Sequence, residues 1–210
     1  MSPSCSIFWD HSNIFAGARE MAIRTEGAEN VHRLRLDYEN LWALSRVGRT
    51  VNAGVCVASS LNNFDTVRTA LVAATGMTVE VYDRGVRLGG ENAVDQALQV
   101  HMLRALIDEP PGVVALLTGD GAGSQEGRGF LADLERMHRG GWGVEVLSWN
   151  RKCNRYLRSW TEEHGRFVCL DHYYRQITYL KGMRMPRSMD NPRSVALPAA
   201  PAFDRAEVAA

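Results

Sequence analysis

Five side chains in this 210-residue sequence could do chemistry together. Asp10 closes the apolar run Ser6-Ile7-Phe8-Trp9, and Asn13 follows after His11-Ser12. Glu91 and Asp95 are four residues apart where a helical stretch begins, so they share one helix face. Asp120 lies in Thr118-Gly119-Asp120-Gly121, just past the apolar run Val113 to Leu117. Oxygen donors gathered at one rim repel one another unless a cation sits among them. Mg²⁺ and Mn²⁺ suit such a set, since they are hard ions that accept carboxylate and water oxygens. An ion there can neutralise a phosphodiester and activate water, with no nucleophilic Ser, Cys or His required. Each residue taken singly also has a plain structural use. Asp10 and Asn13 suit a turn, Glu91 and Asp95 oppose a helix dipole, and Asp120 between glycines suits a tight bend. Their joint occurrence in this order is what favours a site.

For these donors to meet, the surrounding elements must deliver them to one edge. Strands are predicted at Ser6 to Asp10, Val51 to Ala58, Met77 to Tyr82, Val113 to Leu117, Gly143 to Ser148 and Phe167 to Leu170. Helices are predicted over Asp37 to Leu44, Val67 to Ala74, Glu91 to Ile107, Phe130 to His138 and Asn154 to Glu162. The helix from Glu91 repeats Val94, Leu98, Met102 and Leu106 every four residues, which makes one buried stripe. His11-Ser12-Asn13 reads as a polar turn, and the chain from there to about Arg33 as a looser region. Strands alternating with helices predict an α/β fold with a mostly parallel sheet. Ligands bind such sheets outside the carboxyl ends of the strands, where strand order reverses. Asp10 and Asp120 stand at such ends.

Composition narrows the class. Lys+Arg and Asp+Glu both number 24, so the net charge is zero and a globally basic coat for nucleic acid is excluded. Only Lys152 and Lys181 are lysine; the other basic residues are arginine, whose forks suit phosphate. No apolar run approaches the roughly 18 residues of a membrane helix, and no secretory signal opens the chain. Cys5, Cys56, Cys153 and Cys169 have no metal-ligand spacing with one another or with histidine, and a cytoplasmic protein with reduced thiols is expected. Pro186, Pro192, Pro198 and Pro201 fall after Leu180. The expected organisation is therefore one domain over residues 1–182 and a disordered Pro- and Ala-rich tail over residues 183–210.

Phe8-Trp9-Asp10-His11-Ser12-Asn13-Ile14, Glu91-Asn92-Ala93-Val94-Asp95-Gln96-Ala97-Leu98 and Leu117-Thr118-Gly119-Asp120-Gly121 resemble the NYN domain family. These are PIN-like domains of the nuclease type. The resemblance runs from about Ser6 to Leu180, and implies a three-layer α/β/α fold with metal-dependent endoribonuclease activity. It assigns Asp10, Asn13, Asp95 and Asp120 to catalysis, with Asp10, Asp95 and Asp120 as ligands to Mg²⁺ or Mn²⁺. Family members usually carry a second carboxylate two residues after the last motif's aspartate, followed by Phe. Here Ala122 stands at that position, and the Phe is Phe130, after the insertion Ala122 to Gly129. Glu126 in that insertion is the candidate substitute ligand. Asn92-Ala93 replaces the more usual Lys-Gly. These departures keep an alternative open: a catalytically lapsed RNA-binding or protein-interaction module.

The partner on the leading reading is RNA, most simply single-stranded, with homo-oligomerisation left open. Arg151, Lys152, Arg155 and Arg158 follow the strand Gly143 to Ser148, near the same rim, where they could clamp phosphates. Trp149 and Trp142 could stack bases if exposed, and His11 could assist proton transfer. Packing is the competing role for all three. The Gly-rich segment Gly119 to Gly129 lacks the spacing of a nucleotide fingerprint.

Overall fold

A computed structural model describes residues 4–59, 64–82, 90–121 and 127–187. Eight strands and seven α-helices follow one another among these residues. They are β1 (Cys5–Asp10), α1 (His11–Glu26), β2 (Leu34–Leu36), α2 (Tyr38–Arg46) and β3 (Val51–Ser59). Next come α3 (Phe64–Thr75), β4 (Thr78–Tyr82), α4 (Gly90–Asp108), β5 (Val113–Leu117) and α5 (Gly129–Arg139). The last are β6 (Gly143–Ser148), α6 (Arg155–His164), β7 (Arg166–Cys169), α7 (Tyr174–Ile177) and β8 (Thr178–Leu180).

Six strands form one sheet in the order β4-β3-β1-β5-β6-β7, and every neighbouring pair is parallel. The chain builds outward from β1 through β3 to β4. It then returns to lay β5 against the other edge of β1 and builds outward again through β6 to β7. Strand order therefore reverses between β1 and β5, the crevice where ligands enter such sheets. β2 and β8 pair antiparallel in a separate ribbon.

The strands read as apolar runs because both faces are covered. Ile7 and Trp9 of β1, with Ala115 and Leu117 of β5, pack under α1, α2 and α3 through Ile14, Ala18, Leu41 and Leu71. Phe8, Leu116 and Val146 face the opposite way, against Val94, Leu98 and Met102 of α4 and Leu134 and Met137 of α5. The fold is thus three layers, helices on both faces of a parallel sheet.

The expectation fails in one place before the site is reached. The expected turn at His11 opens the 16-residue helix α1, and the expected looser region to Arg33 is the rest of that helix followed by a 3-10 helix at Ala28–Arg33. The buried face of α1 is Ile14, Gly17, Ala18 and Ala22. These are mostly small residues, so the apolar period is faint. They are small because the helix lies close against Trp149, just past β6. A Cβ on Gly17 would stand 2.1 Å from the Trp149 ring. At the other end the fold runs five residues past Gly182. Arg184 donates to the Thr178 carbonyl at 2.7 Å and to Glu26 at 3.1 Å, while residues 188–210 lie outside the described ones.

Ala is the better helix former by about 1 kcal/mol, yet overpacking costs about 1–3 kcal/mol. Gly17→Ala is therefore expected to lower the melting temperature. Thermal denaturation checks this, and a variant as stable as the parent would contradict the close α1–Trp149 contact.

Candidate active site

Asp10 is the last residue of β1 and the N-cap of α1. Its Oδ1 accepts the backbone N–H of Asn13 at 2.9 Å, satisfying one of the free donors that open every helix. Its Oδ2 accepts the Thr118 hydroxyl at 3.3 Å. The turn reading of Asp10 therefore holds, and the same cap fixes the carboxylate at the crevice.

The loop after β5 is tied to the same place. Asn13 Oδ1 accepts the Gly119 N–H at 2.9 Å, so this side chain holds the loop, while Asn13 orients Asp10 through its backbone. Thr118 Oγ1 also accepts the Asp120 N–H at 3.3 Å. Gly119 is required because Cβ there would meet the Lys152 carbonyl oxygen at 2.4 Å. On the other flank, Ser12 and Ser59 share a hydroxyl hydrogen bond of 2.9 Å, which pins α1 to the end of β3.

A cavity of about 490 Å³ opens over these elements, and Asp10, Asn13, Asp95 and Asp120 all line it. Three separate stretches of chain, the β1–α1 junction, α4 and the β5 loop, thus deliver the four expected residues to one cavity. Asp10 is 5% exposed, and burial pushes its carboxyl up to about 6. Hydrogen bonds from Asn13 and Thr118 oppose that rise, and the negative charge of Asp120 adds to it.

Other nucleophiles are disfavoured. Cys153 lines the cavity, but burial raises its thiol to about 11. Cys56 lies well above its ordinary value through burial and the Asp10 charge. His11 is buried, 3.1 Å from the Tyr38 hydroxyl, and burial lowers it to about 4, so it is a packed neutral ring. Carboxylates are the chemistry left.

The expected basic clamp is only partly assembled. Lys152 lines the cavity, with its ammonium 3.1 Å from Glu20. Arg155 lies over the Tyr156 ring, and Arg158 bonds Glu162 and Asn150. Arg151 is exposed, and none of these three arginines lines the cavity. Trp149 cannot stack bases: it is 2% exposed and donates its indole N–H to the Ile14 carbonyl. Trp142 is 1% exposed. Glu126 and the Glu91 side chain lie outside the described residues.

Sequence reasoning missed Thr118, which holds Asp10 and Asp120 together, and Asn154, which lines the cavity and caps α6. Asn154 could have been found as a capping residue before Arg155.

Among the described residues, no group of three or more His, Cys, Asp or Glu side chains stands close enough to hold a metal. The donor set still fits a hydrated hard cation, which needs only one or two carboxylates and keeps several waters. A carboxylate raised by burial, with an acidic neighbour adding to the rise, is what such a cation relieves.

A parallel sheet with a carboxylate-lined cavity at its switch point defines an α/β domain with a ligand crevice at the strand ends. Residues 4–164 match the NYN domain family, and the chain belongs to it. NYN domains are part of the PIN-like nuclease superfamily. A solved structure of a protein of unknown function from Vibrio parahaemolyticus shares the fold, with TM-score 0.57 and 17% identity over 80% of this chain and 93% of that one. Comparison with curated proteins returns no match.

Because its folded pKa lies above the unfolded one, Asp10 carries no penalty below pH 4 and a full one above pH 6. Asn keeps the helix cap and removes the buried charge. Asp10→Asn without divalent metal is therefore expected to be more stable than the parent at pH 8, by roughly 1–3 kcal/mol. Equal melting of the two at pH 4 and divergence at pH 8 is the expected pattern. A destabilised variant at pH 8 would contradict it.

Proposed function

We propose that this protein is a divalent-metal-dependent endoribonuclease acting on single-stranded RNA. The observation that carries the reading is the buried Asp10 carboxylate at the strand switch point, raised chiefly by burial and sharing one cavity with Asp95 and Asp120. Membership of a nuclease superfamily supports it. Asp10, Asp120 and Asp95 are the proposed holders of Mg²⁺ or Mn²⁺, and Glu126 is the proposed additional ligand. A cation bound there would offset the phosphodiester charge and make a coordinated water more acidic.

The remaining roles fall to the chain itself. Thr118 and the Asn13 backbone N–H fix the direction of Asp10. Lys152, on the cavity wall, would contact a phosphate once released from its half-exposed pair with Glu20. Such a pair contributes little. Arg151, Arg155 and Arg158 would serve the strand further from the scissile bond. Among the described residues no helix is long and apolar enough to cross a membrane, which suits a soluble, cytoplasmic role.

The rival reading is a catalytically lapsed RNA-binding or protein-interaction module, favoured by Ala122 where a second carboxylate is usual. Cleavage of a labelled single-stranded RNA in Mg²⁺, Mn²⁺ or EDTA decides between them. Asp10→Asn and Asp120→Asn are each expected to reduce metal-dependent cleavage by roughly 100-fold or more while RNA binding persists. Glu126→Gln reads out the proposed additional ligand. Binding without cleavage by the parent chain in either metal would establish the lapsed reading instead.

A further inference from the structure

A second cavity of about 560 Å³ adjoins the first and shares Asp95 and Asp120 as walls. It extends between α4 and α5, away from Lys152. Leu103 and Phe130 give it an apolar floor, and Gln96 and Gln99 add amides from successive turns of α4. Arg136 closes the far side. Its guanidinium donates to Asp133 Oδ1 and to the Gly127 carbonyl, both at 2.8 Å, and its side chain is 40% exposed. Two of its five N–H donors are thereby fixed in direction, and the others remain for a ligand.

Asp133 supplies an independent sign. It is 3% exposed, and its Oδ2 is buried with no hydrogen-bond partner. A half-satisfied buried carboxylate is costly, and Asp133 is also a wall residue of this cavity. An apolar floor, amide edges, an unmatched acceptor and an anchored guanidinium together suit one nucleotide: base on the floor, phosphate at the arginine.

We infer that this cavity is a nucleotide subsite, binding the RNA residue next to the phosphodiester held at Asp10 and Asp120. The inference rests on the RNA substrate proposed above. It makes the strand continue over α4 and α5.

The test is fluorescence anisotropy with a labelled single-stranded RNA, in Ca²⁺ and again in EDTA, alongside cleavage in Mg²⁺ and Mn²⁺. Leu103→Trp fills the floor, and Arg136→Gln removes the charge; melting curves accompany both. Leu103→Trp is expected to weaken binding about tenfold, an effect lost when the strand carries an abasic ribose at the subsite position. Arg136→Gln is expected to reduce the slope of log K against log salt by about 0.7, the value of one single-strand phosphate contact. Parent-like binding by both variants, with the parent cleaving RNA, would overturn the subsite alone. Sensitive binding with no cleavage by the parent would overturn the nuclease reading and leave the subsite standing. Absence of RNA binding by the parent would overturn both.

Discussion

Asp10 is held by a helix, a strand and a loop at once. As the end of β1 it stands in the middle of the sheet, as the cap of α1 it accepts Asn13, and across the crevice it accepts Thr118. These bonds keep a carboxylate ionisable in a place where burial alone would favour its neutral form, and burial still wins, pushing it to about 6. The sheet can carry this local cost because the rest of β1 is completely covered and, apart from Ser6, apolar.

A network of short ties keeps the crevice in register with that carboxylate. Asn13 holds Gly119, the Asn154 N–H donates to the Gly119 carbonyl at 2.8 Å, and Trp149 donates to Ile14. The ends of β1, β5 and β6 are thereby linked by bonds that each end on a backbone atom, and none uses a long flexible side chain. Such ties hold a constellation more tightly than packing alone. Gly17 and Gly119 are the sequence's concession to this crowding, since each lets another segment approach to a distance a Cβ would forbid.

Much of this was legible in the sequence, and what was hidden has physical causes. The runs Val51 to Ala58, Val113 to Leu117 and Gly143 to Ser148 declare buried parallel strands, and the four-residue period from Val94 to Met102 declares α4. α1 was hidden because Gly17, Ala18 and Ala22 pack by being small. The Asp-x-x-Asn pattern was ambiguous for a sound reason: Asp37 and Asn40 repeat it at the start of α2 with the same capping bond, at 2.8 Å, outside the cavity. What separates Asp10 from Asp37 is position at the switch point, which only topology supplies. The roles of Trp149 and Asp133 depend on burial and on partners far along the chain, which no local spacing encodes.

The proposed function requires the Asp10–Asp120 crevice to bind a divalent cation. Titration of the metal-free chain with Mn²⁺, followed by electron paramagnetic resonance, tests it without reference to any substrate. The account predicts saturable loss of the free Mn²⁺ signal at a site that Asp120→Asn weakens and Mg²⁺ competes for. Mn²⁺ binding that is absent, or unchanged in Asp120→Asn, would contradict it.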